Sequence, residues 1–172
     1  MKEVFMKVYL ASDHVGFAIK DKLKAFLTTN GYEVVDCGAT SFDKDDDYPD
    51  FISIAAKAVS EDLQSRGIIF GGSGQGEAIV ANKFKGVRCA LFYSPAIPTQ
   101  AADISGRVSH DPLEIIRLTR EHNDANMLSI GARFVQDEDV LKIATMWLEA
   151  AFTNEPRHMR RIEKIKKLEN EI

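Results

Sequence analysis

Residues 67–77 read Gly67-Ile68-Ile69-Phe70-Gly71-Gly72-Ser73-Gly74-Gln75-Gly76-Glu77. A short run of β-branched and aromatic residues passes into a turn too rich in glycine to be regular, and a helical pattern from Glu77 to about Phe84 starts directly after it. Strand, tight turn and helix make up the unit from which parallel sheets with helices on both faces are wound. The same unit recurs on either side. Upstream, Val4 to Ala11 reads as a strand, Phe17 to Asn30 as a helix with Phe17, Leu23, Phe26 and Leu27 on one face and Gly31 as its stop, and Glu33 to Asp36 as a second strand. Tyr48-Pro49 then opens a helix reaching to about Arg66, its apolar face carrying Phe51, Ile54, Ala55, Ala58 and Leu63. Downstream, Arg88 to Tyr93 and Met127 to Ile130 are strands. Helices are expected from Leu113 to His122-Asn123, from Asp139 to Phe152, where Met146, Trp147 and Phe152 pack in a core or interface, and from Pro156 to Ile172.

The expected fold is therefore a doubly wound, Rossmann-like three-layer α/β/α sandwich with a five-stranded parallel sheet. At 172 residues, 45% of them hydrophobic, the chain suits a single domain over 1–172. The stretch 94–112, with Pro95, Pro98, Gly106 and Pro112 and no clear period, is read as a long inserted loop, and 156–172 as a C-terminal helix. The net charge of −4 gives no reason to expect nucleic acid. No apolar run reaches the roughly 18 residues that would suggest a membrane span, and no signal core comes after Met1, so a cytoplasmic protein with a small-molecule partner is expected. Cys37 and Cys89 are too few for a disulfide framework and too far apart for a metal pair, and are read as reduced, non-catalytic thiols.

In open parallel sheets ligands bind beyond the carboxyl ends of the strands. Most of the reactive residues flank strands: Asp13-His14 after the first, the glycine loop and Glu77 after the third, and His122-Asn123 before the fifth. If the first and third strands are neighbours with the second outside, these groups converge at a switch point. The glycine loop offers backbone amides to negative charge. It is not a nucleotide P-loop, because Glu77 stands where Gly-x-x-x-x-Gly would be followed by lysine, and a carboxylate there repels triphosphate. The dinucleotide fingerprint and the serine-hydrolase elbow fail at Glu77 and Gln75. A carboxylate beside an anion cradle suits abstraction of a carbon-bound proton, with the enediolate held by N–H donors. The helix dipole should favour the ionised form of Glu77. From spacing alone Glu77 is either that base or a helix cap. His122 and His14 are either reactive or structural, and Arg157 and Arg161, one turn apart in a run with Arg160, Lys164, Lys166 and Lys167, are either a phosphate clamp or a solvated basic face. The run Asp43, Asp45, Asp46, Asp47 is not an EF-hand, since the twelfth position is Ile54, and is read as a solvated loop.

The chain resembles the ribose-5-phosphate isomerase B family, which includes the subunits of galactose-6-phosphate isomerase. The likeness lies in Ser12-Asp13-His14-Val15-Gly16-Phe17, Asp47-Tyr48-Pro49, Gly72 to Glu77 followed by Ala81-Asn82-Lys83, Arg120 to Asn126, Gly131-Ala132-Arg133, and Arg157-His158 with Arg160-Arg161. One branch of that family uses as base a cysteine directly after the third strand, a position that is Gly71 here; the chain looks like the branch whose base is a glutamate after the glycine loop. The resemblance implies interconversion of ribose 5-phosphate and ribulose 5-phosphate without cofactor or metal. Glu77 would be the base, Ser73 would bond the reacting end of the sugar, and His122 would donate the proton that opens the furanose ring. Asp13, His14, Asn123 and the loop Gly72, Gly74, Gln75 and Gly76 would hold the sugar. Arg133, Arg157 and Arg161 would bind phosphate, the last two reaching from a second subunit of a homodimer, with a tetramer as a further level of assembly. Between Tyr93 and Arg120 the chain is longer than typical relatives, which keeps open another substrate, a hexose 6-phosphate or tetrose 4-phosphate. A non-catalytic sugar-phosphate-binding homologue is the third reading.

Overall fold

The computed structural model describes residues 6–171. Its elements run β1 (Lys7–Ser12), α1 (Phe17–Thr29), β2 (Glu33–Asp36), α2 (Tyr48–Glu61), β3 (Arg66–Gly71), α3 (Gln75–Ala81), β4 (Cys89–Phe92), α4 (Glu114–Asn123), β5 (Met127–Gly131), α5 (Asp137–Glu149) and α6 (Pro156–Glu169). Val4, Phe5 and Ile172, expected in the first strand and the last helix, lie outside the described residues. The strands form one parallel sheet in the order β2-β1-β3-β5-β4, so the condition posed above is met: β1 and β3 are neighbours with β2 outside. No helix among the described residues is long and apolar enough to cross a membrane.

The period-2 alternation of the strands divides their side chains between two cores. Val8, Leu10, Ile68, Phe70, Leu128 and Ile130 face α1, α4 and α5, where Leu23, Leu27, Ile116, Val140, Ile143 and Trp147 meet them. Ala11, Ile69 and Met127 face the other way, against Ile52, Ala55, Ala56 and Val59 of α2 and Ala81 of α3. Trp147 is fully buried, its Nε1 donating to Thr119 Oγ1 at 3.1 Å, so it is a core residue.

Two expectations for α2 are corrected. The helix ends at Glu61, because Asp62 leaves helical geometry and its carbonyl accepts from both the amide and the hydroxyl of Ser65, freeing Arg66 to pair with Val8 in the sheet. Its buried stripe is Ile52, Ala55, Ala56 and Val59, while Ile54 and Leu63 are exposed. Two helical registers of similar apolarity exist one residue apart, and the one with adjacent alanines lets the helix approach the sheet closely. The other helices shift by smaller amounts: α3 begins two residues before Glu77 and α5 stops at Glu149.

The carboxyl ends of β1 and β2 are locked together from beneath. Lys20, wholly buried, donates to both oxygens of Asp36 at 2.8 and 2.7 Å, and Asp36 Oδ1 also accepts from the Gly38 amide. Gly38 and Ala39 in turn pair with Ser12 in both directions at 2.8 Å, which fixes the backbone one residue before Asp13. The loop after β4 is also tied down: Arg107 bridges Asp103, Glu114 and Glu121, each at 2.9 Å.

Candidate active site

At the end of β3 the chain places two residues in one space. A Cβ on Gly71 would stand 1.8 Å from Glu77 Oε1 and 2.0 Å from its Cδ, so the carboxylate lies where a side chain at 71 would be. Gly74 makes this return possible: it adopts φ +75°, a left-handed conformation that other residues resist, and reverses the chain into α3. The Gly74 carbonyl accepts from the Ala78 amide and from Ser129 Oγ at 2.7 Å. Ser73 Oγ accepts from the Gln75 amide at 3.3 Å. Glu77 is thus held at the root of the loop, 4% exposed.

A cleft of about 610 Å³ opens above it, walled by the segments that come after β1, β3 and β5. Asp13 and His14 line one side, Gly72, Ser73, Gln75, Gly76 and Glu77 the floor, and Arg133 the other side. Asp13 is buried and its Oδ1 accepts from the Val15 amide at 3.0 Å. His14 Nδ1 meets Asp46 Oδ1 at 2.7 Å. Arg133 is brought in because the β3–β5 pairing continues past both strands, through Ala132 to Gly71 and Arg133 to Gly72.

Burial raises the pKa of Glu77 above the ordinary carboxylate range; its own backbone N–H opposes this and the charge of Asp13 adds to it. The sign is opposite to the one expected from the helix dipole, because a seven-residue helix contributes less than the loss of water. The pKa of His14 is raised, first by its hydrogen bond to Asp46. Both thiols are pushed up by burial, Cys37 to about 11, which leaves them protonated and inert.

A model of the family described as Ribose/Galactose Isomerase matches residues 8–107 and 102–165. The chain is 41% identical over 158 residues to ribose-5-phosphate isomerase B of Mycolicibacterium paratuberculosis, covering 92% of this chain and 88% of that protein. It superimposes on the crystal structure of ribose-5-phosphate isomerase B from Mycoplasma genitalium with bound ribulose-5-phosphate, with a TM-score of 0.84, 36% identity and coverage of 97% and 98% of the two chains. The enzyme of the same name from Clostridium thermocellum gives a TM-score of 0.81 at 37% identity, over 96% and 99%. The chain belongs to the Ribose/Galactose Isomerase family.

Not every expected site residue of this Ribose/Galactose Isomerase family member reaches the cleft. Gly74 is buried beneath it and serves the turn. His122, Asn123, Arg157 and Arg161 lie at the opposite end of the sheet, so the expected convergence of His122 with Glu77 does not occur within one chain. The reason is polarity: His122 precedes β5, whose first residue Met127 pairs with Gly67, whereas Glu77 comes after Gly71 at the far end of that ladder, about 13 Å away along the strands. There His122 stacks on His158 with ring centroids 4.3 Å apart and planes 13° apart. Asn123 is exposed, its carbonyl accepting from Arg88 at 2.9 Å; Arg157 pairs with Glu155 at 2.8 Å, and Arg161 is exposed.

Tyr48 and Phe134 line the cleft without having been expected there. Tyr48 was visible as part of Asp47-Tyr48-Pro49; nothing in the sequence marks Phe134. Asp46 is the larger omission, since the run read as a solvated loop supplies from its middle the partner of His14. Among the described residues, Asp13, His14 and Asp46 offer ligand atoms within 4.8 Å of one another, as a metal ion would need. Their shortest contact, 2.7 Å between His14 Nδ1 and Asp46 Oδ1, is the separation of a hydrogen bond.

Proposed function

We propose that this protein interconverts ribose 5-phosphate and ribulose 5-phosphate by proton transfer through an enediolate. The observation that carries the reading is the Glu77 carboxylate, buried, raised in proton affinity and set over the end of β3 at the floor of the cleft. In the open-chain aldose Glu77 removes the proton on C2, the electrons move to the carbonyl oxygen on C1, and the enediolate forms; the hydroxyl proton on O2 passes to O1, and return of the carbon proton from Glu77 to C1 as the C2 carbonyl forms gives the ketose. Amides of the glycine loop and the Ser73 hydroxyl take the developing charge. A glutamate with elevated proton affinity suits this task, being better matched to the weak acidity of the sugar carbon than an ordinary carboxylate.

The same reading makes the protein a homodimer, with pairing into a tetramer as a further step. His122, Asn123, Arg157 and Arg161 then serve the cleft of the partner copy, His122 giving its proton to the ring oxygen as the furanose opens, and the arginines holding the phosphate with Arg133. Support comes from α6, which leaves Met159, Ile165 and Leu168 exposed on a helix that belongs to neither core of its own chain. The two unpaired thiols fit a reducing cytoplasm.

The length of the inserted loop favours a second reading, the same chemistry on a hexose 6-phosphate or tetrose 4-phosphate. Tyr93, at the head of that loop, meets Phe134 of the cleft edge-on at 6.2 Å, so the insertion bears on the wall of the cleft. A non-catalytic sugar-phosphate-binding role is disfavoured, because a binder gains nothing from burying an ionisable carboxylate. A panel of four-, five- and six-carbon aldose and ketose phosphates decides among the three: the five-carbon pair is expected to turn over with the highest kcat/KM. Faster turnover of another chain length would establish the second reading, and no turnover of any would end the isomerase account.

A further inference from the structure

Asp46 makes two contacts with a single residue. Its Oδ1 accepts the His14 backbone N–H at 3.0 Å and meets the ring Nδ1 at 2.7 Å, so one oxygen fixes both the main chain and the imidazole of a residue 32 positions away. The Asp46 side chain is 8% exposed and that of His14 28%. Asp46 Oδ2 is fully enclosed and has no hydrogen-bond partner. Among the described residues no lysine or arginine forms an ion pair with Asp46; its one ionic contact is His14. A carboxylate this enclosed, with half its hydrogen-bonding capacity unused, is costly unless the group it touches is positive. Phe42 closes the outer side, its ring edge-on to His14 at 6.3 Å and packed in turn on Phe17.

With Nδ1 committed to Asp46, Nε2 is the one ring nitrogen of His14 left for anything that enters the cleft. We propose that Asp46 is a positioning residue: it clamps His14 through Nδ1 and, by its negative charge, favours the protonated ring, whose Nε2–H is then presented as a fixed donor to an anionic oxygen of the phosphorylated sugar. This rests on the isomerase reading for its ligand, but the clamp itself belongs to the free protein. Three charged groups face the ring: Asp46 from the loop after β2, Asp13 from its own segment and Arg133 from the segment after β5. The hydrogen bond to Asp46 has the largest effect and, with the charge of Asp13, raises the proton affinity of His14 against loss of water and the repulsion of Arg133. His14 and Arg133 are the basic side chains that line this cleft, whereas Asp13 and Glu77 are the acidic ones, and a sugar phosphate needs both.

The test has a structural and a kinetic arm, both on the full chain. NMR titration of the His14 imidazole is expected to show a midpoint above the ordinary histidine value in the wild type, falling toward it in Asp46→Ala and Asp46→Asn. An unchanged midpoint in both variants would overturn the clamp. In the kinetic arm, Asp46→Ala is expected to raise KM for ribose 5-phosphate about tenfold at pH 8 with kcat within about threefold, as loss of a charge-assisted contact to the ground state would. Asp46→Asn keeps an acceptor for Nδ1–H but not the charge, so its KM is expected to approach the wild-type value at pH 6 and to rise at pH 8. If Asp46 acts through His14, adding Asp46→Ala to His14→Ala costs nothing more; a full additional loss would assign Asp46 a different role. Absence of isomerase activity in the wild type would remove the proposed function, and the titration alone would then decide whether the clamp exists.

Discussion

Replacing Gly71 with alanine isolates the position of the Glu77 carboxylate from its chemistry. The added methyl would stand 1.8 Å from Oε1, 2.0 Å from Cδ and 2.6 Å from Oε2. Ordinary non-bonded contact needs about 3.5 Å, so the carboxylate must retreat by roughly 1.5 Å. A misplacement of about 1 Å in a reacting group costs on the order of a hundredfold in rate, and loss of a general base altogether costs about 10²–10⁴. Gly71→Ala should therefore lower kcat by about 10²–10³. KM should stay within about threefold, because Arg133, His14 and the loop amides are untouched. Stability should hold as well: Gly71 sits in a strand without a left-handed φ, the neighbour that must move is the free end of a flexible side chain, and alanine costs the unfolded chain up to about 1 kcal/mol of conformational freedom. Direct measurement of ketose formation with a thermal melt on the same sample tests both halves. A kcat within threefold of wild type would refute the inference that catalysis needs the carboxylate at this spot, and a melting temperature lowered by several degrees would show that the strand, not the base, was damaged.

Glu77→Gln should lower turnover by about 10²–10⁴ while substrate binding stays within about tenfold. The same change should stabilise the protein at neutral pH. Burial raises the proton affinity of Glu77, so the folded chain binds that proton more tightly than the unfolded one, and stability falls as pH rises from the ordinary glutamate value of 4.5 through the higher folded value. Melts at pH 7.5 should place the glutamine variant above wild type, with the gap closing below pH 4; a lower melting temperature at pH 7.5 would reverse the sign of the argument. Arg157→Ala and Arg161→Ala should each raise KM with kcat nearly unchanged, and unchanged KM in both would withdraw them from phosphate binding. Glu77→Gln and His122→Ala, each inactive alone, should recover about a quarter of wild-type activity after subunit exchange, since half of the dimers are then mixed and each holds one intact site of two; no recovery would mean that one chain supplies both groups to its own site.

Much of this was legible because the strands are short, β-branched and separated by helices, which leaves parallel winding as the natural solution. The second to fifth strands were readable to within a residue, and the first, expected from Val4, begins at Lys7; the adjacency of β1 and β3 entered the reading only as a condition, which the sheet meets. The face of α2 was not, because Ile54 and Ile52 each begin an acceptable stripe and only packing against the sheet chooses between them. The base was legible as a residue type in a pattern, yet its environment was not: the dipole argument points one way for Glu77 and burial, which no local sequence encodes, points the other. Asp46 hid in an acidic run whose neighbours Asp43 and Asp45 are indeed exposed; contact with a residue 32 positions back leaves no local trace.

The place of His122 was in principle readable, and it has the largest consequence. In a parallel sheet the residues just after each strand gather at one end, and those just before each strand gather at the other. Asp13, Glu77 and Arg133 come after β1, β3 and β5; His122 comes before β5. Helix α5 carries the chain back to that same amino end, where Arg120 donates to the Ala150 carbonyl and Thr153 to that of Glu121, so α6 starts beside His122 and delivers Arg157, His158 and Arg161 there. His158 is 3% exposed and burial lowers its proton affinity, with His122 and Arg157 lowering it further. It therefore offers its stacked neighbour a flat, neutral surface and does not compete for a proton. The proposed acid, Arg157 and Arg161 thus form one group at one end of the sheet, and the base with its anion donors and Arg133 forms another at the far end. No movement short of unfolding joins them in one chain, so an active site that uses both is built between two copies, and a two-fold axis that forms one such site forms the second by symmetry.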